Sequence, residues 1–323
     1  MEEKQLVSVL MSVYKEPQTL LQAAIDSILA QTYKNFEFII ILDHPELPET
    51  RKFLEKQAGL DDRIKVSVNE QNIGLAASLN RGLRLCRGEY IFRMDADDIS
   101  MPTRLERQLF FCQKYQLDMA AGGVIRIDPN DRELQRDPKH SGFFGQEMAK
   151  ILNYRNVMPH PTWCVKRTVY ESLGGYQNIV PAEDYDFLLR AKKVFRLGLM
   201  GEAVLRYRVN PQGISRSNSY RQYVLSQLLV QYHRGRLHKD IYDVNVREQL
   251  YERYSRLCFT EEDYHHFDAL KLKLFAGRQR FRILGRLMQK KAYRLLFKQF
   301  TVSYIRWKLL LRKHKGQFED EKN

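Results

Sequence analysis

The first hundred residues alternate between dense apolar runs and stretches whose apolar positions recur at helical spacing. Leu6–Val13 (LVSVLMSV), Phe36–Leu42 (FEFIIIL), Ile64–Val68 (IKVSV) and Tyr90–Met94 (YIFRM) read as strands, and the unbroken apolar character of the first two predicts a sheet covered on both faces. After the first strand, Pro17 suits a first helical position, and Leu20, Leu21, Ala24, Ile25, Ile28 and Leu29 follow at helical spacing. A polar helix is expected over roughly Glu49–Gln57, and Asn72-Ile73-Gly74 opens another that runs to about Leu85. Strand and helix in regular alternation predict a mostly parallel α/β sheet, whose ligands gather at the carboxyl ends of the strands.

Past Pro102 the pattern gives a helix from Arg104 to about Tyr115, an apolar strand over Met119–Ile127 and a polar loop from Asp128 to Gly145. Two prolines punctuate Asn156–Thr162 (NVMPHPT), Gly174-Gly175-Tyr176 marks a turn, Ala182–Lys193 (AEDYDFLLRAKK) has helical spacing, and Leu199–Val209 reads as a last strand. From Ser219 onward the pattern is mostly helical, first around Tyr220–Arg234 and again from Ile241. The chain thus divides into an α/β domain over 1–217 and a helical region over 218–323.

Charge sharpens this division. The net charge is +14, from 53 basic and 39 acidic residues. Residues 271–315 hold 15 Lys or Arg and no acid, so the other 38 basic and 39 acidic residues nearly cancel. The excess belongs to the tail. Four scattered cysteines without a CxxC pair read as reduced core residues of a cytoplasmic protein. The acidic start is not that of a signal peptide, and no apolar run is long enough to cross a bilayer.

Candidate chemistry concentrates after the Tyr90–Met94 strand, where Asp95, Asp97 and Asp98 fall within four residues. Such carboxylates repel one another, and a hard divalent cation, Mn²⁺ or Mg²⁺, is a natural counter-charge that also shares its shell with phosphates. A solvated acidic turn ahead of the next helix is the alternative. Tyr14, Asp43 and Asn72 lie at the other strand ends. Glu183 and Asp184 sit in a first helical turn, where the helix dipole alone would favour them.

These stretches, in this order, resemble the family 2 glycosyltransferases: VSVLMSVYKE, SILAQTYKNFEFIIILD, NIGLAASLNRGL, GEYIFRMDADDISMPTRLERQ, HPT, GGY and AEDYDFLLR, over roughly Val7–Ser215. The resemblance implies a GT-A fold, that is, a Rossmann-like nucleotide-diphospho-sugar transferase sheet flanked by helices, with a helical C-terminal extension. It implies that Asp43 contacts the nucleotide base, Asp95 contacts nucleotide or sugar, Asp97 ligates the metal and Asp184 is the catalytic base. Tyr14 and Asn72 fall where the family lines its nucleotide pocket. His160 and Arg93 are substrate-side candidates, as is Glu183 should Asp184 prove structural. The alternative readings are a His160 packed between its prolines, an Arg93 that serves as counter-charge to the acidic cluster, and an Arg104 on the helix surface.

Three departures qualify the match. Only the second acid of the usual Asp-Asp-Gly-Ser is kept, in Leu42-Asp43-His44-Pro45. Ser78-Leu79 precede Asn80 where a basic residue is common. The processive synthases' Q-x-x-R-W is absent, which implies single additions. The implied reaction is a metal-dependent, inverting transfer from a nucleotide-sugar, UDP by family frequency, to a glycan or lipid-linked saccharide.

Within the tail, Arg282, Arg286, Lys290, Arg294 and Lys298 recur every four residues beside apolar ones, as in a helix lying on an anionic membrane surface. This would hold the protein at the inner face of the plasma membrane. Packing on the α/β domain, or on a second copy in a homo-oligomer, is the alternative. A nucleic-acid binder would leave the acids unexplained, and a catalytically silent partner subunit has no reason to keep Asp95, Asp97 and Asp184.

Overall fold

The computed structural model describes residues 5–210, 218–275 and 291–313. Its first half follows the apolar pattern closely: β1 (Val7–Val13), α1 (Gln18–Leu29), β2 (Phe36–Leu42), α2 (Pro48–Leu60), β3 (Ile64–Val68), α3 (Leu75–Leu83), β4 (Tyr90–Asp95), the short β5 (Ile99–Ser100), α4 (Arg104–Lys114) and β6 (Met119–Ile127). The loop expected over 128–145 contains two further strands, β7 (Glu133–Arg136) and β8 (Phe143–Phe144). Then come α5 (Gln146–Ile151), a 3-10 turn at His160–Thr162, β9 (Cys164–Lys166), α6 (Arg167–Leu173), α7 (Glu183–Ala191) and β10 (Leu197–Arg208). Four helices complete the described chain: α8 (Ser219–His233), α9 (Val244–Leu257), α10 (Glu261–Phe275) and α11 (Lys291–Lys313).

All ten strands join one sheet, ordered β3-β2-β1-β4-β9-β6-β10-β5, with β7 on β6 and β8 on β10. The strands β3 to β4 run parallel, as do β6 and β10. Between these two parallel groups β9 pairs antiparallel with both β4 and β6, so the sheet is mixed rather than uniformly parallel. Side-chain alternation feeds two apolar layers. Val7, Val9, Met11, Phe92 and Met94 face the side of α1, α2 and α4. Leu10, Ile39, Ile41 and Ile91 face the other side, where the apolar cluster continues through Trp163, Tyr176 and Phe187 into α8–α11.

The tail is partly committed to that second layer. Tyr293 and Leu296 of α11 are buried, Tyr223 donates to Gln299, and Trp307 meets Phe143 edge-on at 5.3 Å. The opposite side of α11 leaves Val302, Ile305 and Leu309 between 38 and 58% exposed. Arg282, Arg286 and Lys290 of the expected basic stripe lie outside the described residues. The four cysteines are free, three of them buried.

Close approach of β1 and β4 depends on Gly88. A Cβ there would stand 2.4 Å from the backbone nitrogen of Ser8 and 2.5 Å from the carbonyl carbon of Val7, groups that cannot rotate away. The Gly88 N–H instead donates to Ser8 Oγ at 2.9 Å. By contrast Gly59, in α2, has open space around it. Gly88→Ala should therefore destabilise the fold by about 2–3 kcal/mol, in the range of core overpacking. Gly59→Ala should leave stability unchanged or raise it by up to about 1 kcal/mol. Urea denaturation of both variants checks this, and equal effects would contradict the assigned β1–β4 contact.

Candidate active site

The carboxyl ends of β1, β4 and β10 bring five titratable groups to one edge of the sheet. Asp95 closes β4, and Asp97 and Asp98 occupy the turn into β5. One oxygen from each of the three lies within 4.8 Å of the others. Glu16, just past β1, faces the same cluster and raises the Asp97 carboxyl, while burial, and to a lesser degree Asp95, raises Glu16 itself. From β10, Arg208 braces the turn: its backbone N–H donates to Asp98 Oδ1 at 2.8 Å and its Nε donates to the Asp97 carbonyl at 2.8 Å.

Local cations offset this charge only in part, Arg208 acting on Asp97 and Arg93 on Asp98. Burial, then Asp95 and Glu16, pushes the Asp97 carboxyl up to about 7. Asp98 is fully enclosed and pushed well above the carboxylate range by burial and by its two neighbours, and its Oδ2 has no hydrogen-bond partner. Crowded oxygen donors with unbalanced charge and an orphaned buried oxygen fit a hard divalent cation such as Mg²⁺ or Mn²⁺. The solvated-turn alternative fits poorly with that burial.

Arg93 lies behind this cluster and is 3% exposed. Its Nη2 meets Asp95 Oδ1 at 2.5 Å, and its Nε and Nη1 have no partner. The guanidinium counters Glu183 and Asp184 as well as Asp98. The acids at and just past the end of β4 and those at the start of α7, 85 or more positions apart in sequence, thus share one buried cation. Arg104, expected as an alternative on the helix surface, is instead 1% exposed and donates from Nη2 to the Arg93 carbonyl at 2.6 Å. A backbone carbonyl in need of a donor draws it inward.

Asp184 opens α7 with its Oδ1 accepting from the Tyr185 N–H at 2.7 Å and its Oδ2 from Asn156 Nδ2 at 2.8 Å. Burial pushes its carboxyl up to about 6, and burial followed by Asp184 pushes Glu183 to about 7. Glu183 Oε2 is buried without a partner. A carboxyl titrating near 6 in such a place can accept a proton at neutral pH. His160 shares a 2.8 Å hydrogen bond with the Tyr176 hydroxyl and packs on Trp163 at 4.5 Å. Burial, then Arg93, drives its imidazole well below the usual range and so favours the neutral ring.

The remaining sequence candidates follow β1, β2 and β3. Tyr14 is 38% exposed and stacks on His44 at 5.2 Å. Asp43 is buried and internally engaged: Asn69 Nδ2 and the N–H groups of Ile73 and Gly74 all donate to its carboxylate. Asn72 is exposed and accepts from the Gly74 N–H. The basic residue missing before Asn80 has a counterpart after it, since Arg81 donates to Asn69 Oδ1 at 2.8 Å. Glu16, Asn156 and Arg208 were not among the residues singled out from sequence. Only Glu16 carried a signal, as the acid closing VYKE at a strand end.

Residues 8–174 match the model of the family described as Glycosyl transferase family 2. The O-antigen biosynthesis glycosyltransferase WbnJ of Escherichia coli is 34% identical over 218 residues, covering 66% of this chain and 83% of that protein. A second Escherichia coli protein, named UDP-Gal:alpha-D-GlcNAc-diphosphoundecaprenol beta-1,3-galactosyltransferase, is 29% identical over 70% of this chain and 82% of its own. The solved structure of Staphylococcus aureus TarS 1–349 with UDP-GlcNAc superposes with a TM-score of 0.57 at 17% identity, over 78% of this chain and 73% of that one. At that identity the likeness is one of fold, the GT-A fold expected from the sequence.

The raised carboxyls have a consequence for stability. A carboxyl with a folded pKa near 7 and an unfolded value of about 4 holds its proton more tightly in the folded chain. It favours the folded state at low pH and loses that effect as pH rises from about 4 through 7. Asp97→Asn should therefore stabilise the protein in EDTA, and by on the order of 1–2 kcal/mol more at pH 8 than at pH 5. With Mn²⁺ at pH 8 the order should reverse, because only the parent has Asp97 to hold the ion. Denaturation curves at the two pH values decide it: a variant no more stable than the parent in EDTA at pH 8 would show the cluster to be already compensated.

Proposed function

The chain belongs to glycosyl transferase family 2, and from that membership we propose that it transfers one sugar from a nucleotide-sugar, a UDP-sugar first, to a hydroxyl of a glycan or lipid-linked saccharide in cell-surface polysaccharide synthesis. The observation that carries the reading is the meeting of two acid groups, Asp95/Asp97/Asp98 and Glu183/Asp184, around the buried Arg93 at one sheet edge. The biosynthetic names of relatives supply the physiological setting.

In this mechanism Asp97, with Asp95 and Asp98 beside it, would hold Mn²⁺ or Mg²⁺, which supplies charge neutralisation to the departing diphosphate. Tyr14 and the 69–74 loop shaped by Asp43 border the nucleotide, with Asn72 at its rim. Asp184, oriented by Asn156 and the Tyr185 N–H, takes the proton of the acceptor hydroxyl. The acceptor oxygen bonds to the anomeric carbon as the bond to the diphosphate oxygen breaks, its electron pair leaving with the diphosphate. One base and one displacement invert the anomeric centre. Arg93 offers Nε and Nη1 to sugar or phosphate oxygens, neutral His160 can donate or accept a hydrogen bond, and Glu183 stands next to the base.

No helix among the described residues is long and apolar enough to cross a membrane. We assign the 271–315 tail to an anionic membrane surface, which would place the enzyme at the cytoplasmic face. The exposed Val302, Ile305 and Leu309 share their side of α11 with Arg294 and Lys298, an apolar stripe with basic company. The inner side of α11 packs on the chain itself, so both arrangements weighed for the tail coexist on one helix.

Asp184→Asn keeps size and most hydrogen bonding but cannot take a proton. Turnover should fall at least about 10²-fold, the low end of general-base effects, with UDP affinity unchanged. Loss of UDP binding instead would mark Asp184 as structural and turn attention to Glu183. Replacing Val302, Ile305 and Leu309 together by Ser should weaken binding to phosphatidylglycerol vesicles at least tenfold, since a tenfold loss needs only about 1.4 kcal/mol of the apolar contact these side chains make. Unchanged sedimentation would remove the membrane from the assignment.

A further inference from the structure

A second convergence of charge lies on residues 152–156, and the donor chemistry does not use it. The Tyr154 ring carries two guanidinium groups, Arg306 at 3.9 Å and Arg234 at 4.9 Å. Arg234 also donates to the Asn153 carbonyl at 3.0 Å, and Lys192 Nζ donates to Asn153 Oδ1 at 2.5 Å. Arg155 lies over the Trp307 ring at 5.8 Å. These four cations come from the 152–156 segment, the residues capping the C-terminal ends of α7 and α8, and α11, and none forms an ion pair with a described residue. The one acid acting on Arg155, Asp137, is already engaged by Arg126 at 2.7 Å and by the Val124 N–H.

An open basic surface keeps its water. Here Arg155, Arg234 and Lys192 are half-buried. Burial, then Arg234, pushes Lys192 down to about 8, and burial lowers Arg155 as well. Arg234 and Lys192 are thus held close together, Arg306 shares the Tyr154 ring with Arg234, and no described acid pairs with any of them, an arrangement suited to an anion; Arg155 flanks it on Trp307, with Arg126 as its own neighbouring like charge. Its position narrows the anion. Asn156, one residue beyond Arg155, grips Asp184, and the Tyr185 hydroxyl donates to the Leu152 carbonyl at 2.7 Å, so the site adjoins the proposed base. The donor's diphosphate already has a place at the Asp95–Asp98 edge. Arg306 sits on α11, the helix with the outward apolar stripe.

We propose that Arg155, Arg234, Arg306 and Lys192 bind the diphosphate of a lipid-linked acceptor, delivering its saccharide to Asp184 while the lipid lies along the exposed face of α11. This rests on the glycosyltransferase reading and deepens it on the acceptor side. Arginine suits the role, because its planar donors pair with two phosphate oxygens at once.

The test is calorimetric titration of the full chain with farnesyl diphosphate in EDTA, which leaves the acidic edge uncompensated and hostile to a diphosphate. Inorganic pyrophosphate and dihexanoyl phosphatidylglycerol serve as the other probes. Farnesyl diphosphate should bind at least tenfold more tightly than either, and Arg155→Gln with Arg306→Gln should weaken it at least tenfold. Arg155→Lys with Arg306→Lys should retain most of the affinity. Equal binding by parent and double Gln variant would overturn the site. Pyrophosphate matching farnesyl diphosphate would overturn the lipid source, and the phosphatidylglycerol probe matching it would reassign the site to an ordinary headgroup. Arg306→Gln alone, at an exposed side chain, keeps the test decisive should the double variant fail to fold. Sugar-nucleotide hydrolysis by the parent with Mn²⁺ is measured separately. Its absence alongside intact farnesyl diphosphate binding would sink the transferase reading and the acceptor role, while leaving a lipid-diphosphate site.

Discussion

The acidic edge turns on the buried guanidinium of Arg93, with the buried Arg104 and Arg208 beside it. Arginine cannot shed its proton at any accessible pH, so Arg93 is a fixed positive charge in the interior. The acids around it respond: Asp95 pairs with it directly, and Asp98, Glu183 and Asp184 feel it at longer range. One cation cannot satisfy them all, and burial raises those that are left over. Two of its own nitrogens also go unmatched, at a cost of about 1–3 kcal/mol for each buried donor left without a partner. The hydrophobic layers on both sides of β1, β2 and β4 make that cost tolerable. Trp163, Tyr176 and Phe187 in particular form a stacked aromatic floor whose loss would cost about 3–5 kcal/mol per large ring.

What could be read from sequence follows from where the determining contacts lie. Strands β1, β2, β3, β4 and β6 declare themselves through their own composition, and their boundaries fall within a residue or so of the apolar runs. Strand β9 does not, because Cys164-Val165-Lys166 is three residues long and gains its place only by pairing with β4 and β6. The reversal it introduces changes the sheet from parallel to mixed, and no local periodicity records that. Strands β7 and β8 were lost for the same reason, inside a segment whose Asp, Pro and Gly content speaks for a loop.

The site shows the same division. Asp95, Asp97 and Asp98 are adjacent in sequence, so their crowding is visible there. Asn156 and Arg208 act only because the chain returns, one to Asp184 and the other to the Asp97–Asp98 turn. Arg104 misleads for a related reason: its position on α4 is visible in the sequence, but the unpaired carbonyl of Arg93 that buries it is not. Asp43 is an intermediate case. Its residue type and strand-end position were legible, while its engagement with Asn69, Ile73 and Gly74 makes it the organiser of a loop.

On the proposed reading, both substrates bring a diphosphate to a sheet edge that is itself acidic, and each must meet a cation before it can approach. For the donor that cation would be a divalent metal ion, which Asp97, with Asp95 and Asp98 beside it, would hold against the diphosphate. For the acceptor the cations are fixed, carried by the 152–156 segment, by the residues capping the C-terminal ends of α7 and α8, and by α11. The two compensations must stay separate, since a diphosphate at the wrong place would put a leaving group where the nucleophile belongs. Arg93 links the two acid groups with a charge that cannot be neutralised, and its pairing with Asp95 ties it to the donor side. The near-neutral balance of residues outside the tail, against the concentrated charge of the tail itself, then has a mechanical sense: long-range attraction draws anionic partners to the α11 side, and only the metal-bearing donor is accepted at the other.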